Sequence, residues 1–171
     1  VTTLVTDLDG TICFDGVSIS PEIVIELERI AQHGRLVTAS ARPPRDLYPV
    51  LPHSLRGVEV IGGNGSFVRS VTVTTTTMFT AAERRLVDGL VAKHGLRALI
   101  DADPDYSYTG TGADGVISRV NSAGGRRIPA ADLPFYTKAV IFDPPDAIAE
   151  RLRSAGLSVT VHASERLIDV S

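Results

Sequence analysis

The chain has 171 residues, of which 43% are hydrophobic, 22% charged and 5% aromatic. That composition supports a buried core and excludes disorder, collagen or a coiled coil as a description of the whole. The net charge of −3 lacks the basic excess of a nucleic-acid surface. No apolar run suits a membrane helix, and Asp7 comes too early for a signal peptide. Cys13 is the single cysteine, so no intrachain disulfide is expected, and a cytoplasmic location is the default.

A first strand is expected over 3–6, ending at Asp7. Ser20-Pro21-Glu22 then opens a helix: Ser20 as cap, Pro21 at the first position, Glu22 on the positive end of the dipole. Ile23, Leu27, Ile30 and Ala31 share one face of it, and Gly34 stops it. A short buried strand over 36–38, a short helix over 43–50 and a strand over 58–61 follow. Gly62-Gly63-Asn64-Gly65 marks a turn into a strand over 66–73. The polar run 74–77 has no core pattern and is read as a domain boundary.

Thr80-Ala81-Ala82-Glu83 is a capping box, with Leu86, Leu90 and Val91 as the stripe and Gly95 as the stop. Strands are expected over 96–100 and 136–142. The Gly- and Asp-rich loop between them holds irregular hairpin strands. A helix carrying Ile148 and Leu152 stops at Gly156, and strands follow over 157–161 and 166–170. Residues 1–76 thus read as a parallel α/β layer and residues 77–171 as an α+β unit.

The chemistry concentrates in Leu4-Val5-Thr6-Asp7-Leu8-Asp9-Gly10-Thr11. An apolar strand delivers two acids two residues apart at its C-terminal end, the edge where open α/β sheets bind ligands. Residues i and i+2 of an extended chain point to one side, so both carboxylates can address one small volume. Gly10 allows a sharp turn and Thr11 can fix it. This suits phosphoryl transfer. Asp7, ionised at neutral pH, can attack phosphorus. Asp9 can protonate the leaving oxygen and later deprotonate water. A hard cation such as Mg²⁺ on Asp7 and Asp9 would relieve their repulsion from a phosphate dianion.

Asp7-Leu8-Asp9-Gly10-Thr11 resembles D-x-D-G-T, the first motif of the haloacid dehalogenase-like (HAD) phosphohydrolases. Leu36 through Pro43 resembles the second motif, with Ser40 for Thr and Ala41 for Gly in what reads T-G-R-P in the Cof-like branch. Ser40 would then donate to phosphate, with Ala41 and Arg42 at the substrate side. A plain cap is the alternative for Ser40. Ile61 through Ser66 resembles the branch's I-x-x-N-G-A segment, whose Asn, here Asn64, lies near the entrance. A hairpin turn is the alternative there.

The resemblance implies a HAD-like Rossmannoid sheet over 1–76 and a C2B-type cap over 77–171. It also implies a Mg²⁺-dependent phosphatase for a small phosphorylated metabolite, a sugar phosphate among the options, with an aspartyl-phosphate at Asp7. No nucleic-acid or membrane partner is expected. The family's later Lys and Gly-Asp…Asn-Asp segments have no counterpart: Lys93 and Lys138 are the only lysines and neither has the right setting. The expectation is an incomplete core, closed by a further C-terminal segment or by self-association. The alternatives are a catalytically incomplete phosphate-binding domain and a phosphomutase. Asp101-x-Asp103-x-Asp105 lacks the Gly and Glu of a calcium loop, and a solvated acidic turn is expected instead.

Overall fold

The computed structural model describes residues 2–111 and 124–171. Two compact units emerge, one running to Thr77, the other starting at Met78 and including residues 125–171.

The first unit is built on the sheet β1 (Thr3–Asp7), β2 (Arg35–Ala39), β3 (Glu59–Gly62), β4 (Phe67–Arg69) and β5 (Thr74–Thr76), in that order. β1, β2 and β3 are parallel, with Leu4 opposite Leu36 and Thr38 opposite Val60. Parallel neighbours need a crossover, and α1 (Pro21–His33) supplies the one between β1 and β2. Leu27 of α1 and Leu47 of the short α2 (Pro44–Leu47) meet Leu8, Leu36, Leu55 and Val60 in one core. β4 and β5 return antiparallel.

Several local expectations are corrected. Ser20 sits at the cap position of α1 but its side chain makes no cap hydrogen bond. Gly34 is extended (φ −154°) rather than left-handed. It is needed because a Cβ there would lie 2.6 Å from the Thr2 carbonyl oxygen. The helix expected over 43–50 is only one turn, since Pro49 has no N–H to continue it. The strand expected over 66–73 breaks at Ser70, whose hydroxyl accepts from the Thr72 and Val73 amides at 3.3 and 3.0 Å. The polar run after it, read as a domain boundary, also carries a strand: Thr74–Thr76 pairs with β4 at the edge of the sheet.

The second unit is an antiparallel sheet in the order β7-β6-β8-β10-β9. Its strands are β6 (Arg97–Asp101), β7 (Tyr106–Tyr108), β8 (Lys138–Phe142), β9 (Val159–His162) and β10 (Leu167–Val170). Helices α3 (Ala81–His94) and α4 (Asp146–Ser154) bring Val87, Val91, Ile148 and Leu152 onto Ile100, Ala139, Ile141, Ile168 and Val170. Leu99, Tyr106, Tyr108, Val140 and Phe142 cluster on the other face. The capping box of α3 forms in full, and Gly95 (φ +59°) takes the left-handed stop. Of the long loop after β6, Tyr106–Tyr108 forms the expected hairpin strand; residues 112–123 lie outside the described residues.

Candidate active site

β1 ends at Asp7, and the chain then winds tightly around one oxygen. The Leu8 carbonyl accepts from the amides of Ile12 and Cys13 at 3.1 and 2.8 Å, and the Gly10 amide returns to the Cys13 carbonyl at 2.8 Å. Gly10 sits at φ +77°, which is why a glycine is required in this turn. Leu8 and Cys13 are buried and anchor the turn, while Asp7, Asp9 and Thr11 stay exposed. The Thr11 hydroxyl donates to Asp7 Oδ2 at 3.2 Å. One oxygen of Asp7 is thereby oriented and Oδ1 is left to react.

Asp9 has a different setting. Arg42, in the loop that follows β2, grips its carboxylate with two donors, Nη2 to Oδ1 at 2.6 Å and Nε to Oδ2 at 2.9 Å. The same guanidinium donates to the carbonyls of Gly16 at 2.9 Å and Asp46 at 3.4 Å. Arg42 therefore ties the turn after β1, the loop at Gly16 and the start of α2 into one frame. Partial burial works against its charge, but the hydrogen bond and charge of Asp9 outweigh this, and its pKa lies above the ordinary value. Sequence reasoning placed Arg42 at the substrate side; in the structure its donors meet Asp9 and the backbone oxygens of Gly16 and Asp46.

Ser40 is buried, and its hydroxyl accepts from the Arg42 amide at 3.1 Å. Ser40 does not cap α2, whose cap position is Pro43; its hydroxyl accepts within a local turn and keeps its own hydrogen to donate. Ala41 is exposed between the two. The Gly-rich turn after β3 supports the Arg42 peptide. The Gly63 amide donates to the Arg42 carbonyl at 2.8 Å, and a Cβ on Gly62 would lie 2.9 Å from that oxygen. Asn64 is exposed and left-handed (φ +57°) within this turn.

The structure thus gathers Asp7 with Thr11, and Asp9 with Arg42 and Ser40, at the C-terminal end of the parallel strands. Sequence reasoning missed Asp15. Its Oδ1 accepts from the Val17 and Ser18 amides, both at 2.8 Å, and its Oδ2 from the Ser18 hydroxyl at 2.8 Å. The Ser18 and Val17 amides hold this carboxyl well below the usual range. It fixes the loop that presents the Gly16 carbonyl to Arg42. The Asp15-Gly16-Val17-Ser18 sequence carried that signal as an Asx-type turn. Burial, then Asp15, pushes the Cys13 thiol up, consistent with packing rather than reactivity.

Among the described residues, no group of three or more His, Cys, Asp or Glu side chains gathers within reach of one metal ion. Asp7 does offer an exposed carboxylate, and Mg²⁺ is often held by one or two carboxylates with water and phosphate completing its shell. The donor chemistry suits Mg²⁺, as a partial site.

A family model of haloacid dehalogenase-like hydrolases matches residues 4–109, more than half of the chain. The chain belongs to that family of hydrolases. No curated protein matches it. Among solved structures, a haloacid dehalogenase-like hydrolase from Bacteroides thetaiotaomicron superposes with a TM-score of 0.77 at 22% identity, covering 98% of this chain and 70% of that one. The HAD subclass IIB sugar phosphatase BT4131 gives 0.75 at 14% identity, over 100% and 70%. The HAD phosphatase BT1666 from Bacteroides thetaiotaomicron gives 0.76 at 16%, over 100% and 66%. These likenesses establish the fold: a HAD-like α/β architecture that spans about 70% of the length of the first two relatives.

Proposed function

We propose that the protein is a Mg²⁺-dependent phosphatase that hydrolyses a small phosphomonoester through an aspartyl-phosphate at Asp7. The observation that carries this reading is the pair of exposed acids at the end of β1, with Thr11 orienting Asp7 and Arg42 holding Asp9. Asp7 Oδ1 attacks phosphorus and the bond to the ester oxygen breaks. Asp9, carrying a proton, gives it to the departing oxygen. Asp9 then takes a proton from water as that water attacks phosphorus, and the acyl-phosphate bond breaks to return Asp7 and release phosphate. A carboxylate gripped by two N–H donors must free one oxygen to carry the proton, so the Arg42 clasp has to loosen on one side in the first step. Mg²⁺, held by the Asp7 carboxylate and a main-chain oxygen of Asp9, would neutralise charge on the phosphoryl group.

Residues 77–171 serve in this reading as the cap that selects the leaving group. A sugar phosphate is the favoured substrate class, supported by the likeness to a sugar phosphatase. The test is hydrolysis of a generic phosphomonoester with and without Mg²⁺. Asp7→Asn is expected to lower turnover by about 10³-fold or more with an unchanged melting curve, because Asp7 is exposed. Wild-type activity in that variant would sink the mechanism. A chain that binds phosphate esters without Mg²⁺-dependent turnover would instead favour the binding-domain alternative.

A further inference from the structure

We propose that the β9 edge of the second sheet, with the face of α4 beside it, pairs with the same surface of a second copy of this chain. The two edges of that sheet differ. The β7 edge is covered by the chain's own segment: the Tyr106 amide donates to the Arg126 carbonyl at 3.0 Å, the Ile128 amide to the Tyr106 carbonyl at 2.9 Å, and Arg127 Nη2 to the Tyr108 carbonyl at 2.7 Å. β9 forms the other edge and reads Val-Thr-Val-His, with no Lys or Pro to blunt it. Ser158 and Ser171 exchange both backbone bonds, at 2.8 and 3.0 Å, so by alternation Val159 and Val161 turn their N–H and C=O groups away from β10. Arg153 of α4 meets the Val159 carbonyl at 3.2 Å. Val161 is left at the bare edge, opposite Ile168 on the face that the helices occupy, with 53% of it exposed.

Register and charge select the occupant. A cleft of about 560 Å³ runs between α4 and the β9–β10 hairpin, with Val161 and Ile168 in its lining. α4 contributes Asp146, Ala149, Glu150 and Arg153, one stripe that is acidic toward its start and basic toward its end. Such a stripe complements itself when turned end for end. A two-fold axis through Val161, perpendicular to the sheet, turns it in that way and brings Glu150 of one copy toward Arg153 of the other. The same axis lets Val161 exchange both outward backbone bonds with its counterpart and packs the two valine side chains together on the helix face. Thr160 then lies beside the second copy's His162 on the opposite face. An occupant of a single charge sign would leave one end of the stripe unanswered, whereas a second copy answers both. The surface lies wholly within the second unit, so the pairing does not rest on the phosphatase reading.

The test is sedimentation and hydrogen exchange on the 171-residue chain across a concentration series. A dimer with a dissociation constant in the micromolar range is expected, as suits a small interface. The Val161 amide should exchange about tenfold or more slowly in the dimer than in the dilute monomer. Val161→Lys should weaken dimerisation about tenfold or more with an unchanged melting curve, and the milder Val161→Thr should weaken it less. Val5→Lys, on the exposed edge residue of the first sheet, should leave it unchanged. Glu150→Arg and Arg153→Glu should each weaken the dimer, and the two together should restore it. A monomer up to about 0.1 mM overturns the proposal, as does a dimer indifferent to Val161→Lys or one broken by Val5→Lys. Single charge swaps that weaken the dimer without rescue by the double swap overturn the two-fold arrangement.

Discussion

Each unit holds a charged pair that joins distant parts of its chain, and the two pairs are treated in opposite ways. Asp9 and Arg42 meet beyond the ends of β1 and β2, with side chains 46% and 22% exposed. Lys138 and Asp169 meet within β8 and β10 at 3.2 Å, with side chains 7% and 8% exposed. His162 Nε2 stands 3.6 Å from the same Asp169 oxygen. A charge at a strand end can reach a ligand and change partners. A charge locked in mid-sheet is desolvated and held to one geometry. Burial gives the pair of the second unit a structural role, while the more exposed pair of the first unit suits the proposed reaction.

That contrast can be broken by mutating one pair at a time. The largest effect on stability is expected from Lys138→Ala, which leaves Asp169 buried without its ammonium. A loss of about 3–5 kcal/mol in denaturant unfolding is expected. An unchanged midpoint would show that the pair is not structural. Arg42→Ala should behave inversely. Stability should fall by about 1–2 kcal/mol, less than for Lys138→Ala, since the pair is only partly buried although Arg42 also holds the Gly16 and Asp46 carbonyls. Turnover of a phosphomonoester should fall by about 10²-fold as Asp9 loses its orientation. Recovery with Arg42→Lys would show that charge alone is needed and that the two-pronged grip is not.

A finer comparison uses the helix starts. Thr80→Ala removes a complete capping box and should cost α3 about 1 kcal/mol, whereas Ser20→Ala, where no cap bond exists, should cost α1 only a few tenths. Equal losses in thermal unfolding would contradict the difference in their caps. The smallest effect concerns Tyr136, whose ring is fully buried and whose hydroxyl donates to Asp88 at 2.9 Å. Burial, then Asp88, pushes its pKa up to about 12. The unfolded chain ionises this tyrosine near pH 10 while the folded chain keeps it neutral, so its contribution holds below pH 10 and is lost as pH rises toward 12. Tyr136→Phe should flatten the stability profile across that window.

Much of this was legible in the sequence where the deciding physics is local. The acidic turn at Asp7 through Thr11 could be read because strand, glycine and hydroxyl are contiguous. Thr80 and Glu83 announced a box because both partners lie within one helical turn. Other features were not legible. Gly34 looked like a helix stop, yet its reason is the approach of Thr2 from the neighbouring strand. Thr74–Thr76 carried no core pattern, and only pairing with β4 makes it a strand.

The sequence by itself determined the α/β class, the family resemblance and the identity of the two candidate acids, since period, turn chemistry and motif spacing are properties of adjacent residues. Only the tertiary structure decided what each acid touches. Asp7 meets Thr11 four residues along, but Asp9 meets Arg42 across two strands and a helix, and that contact exists because β1 and β2 are parallel and bring their C-terminal ends together. The place of β1 at one edge of its sheet and of β5 at the other was decided in the same way. An edge is a property of strand order, which no local pattern along β1 or β5 contains.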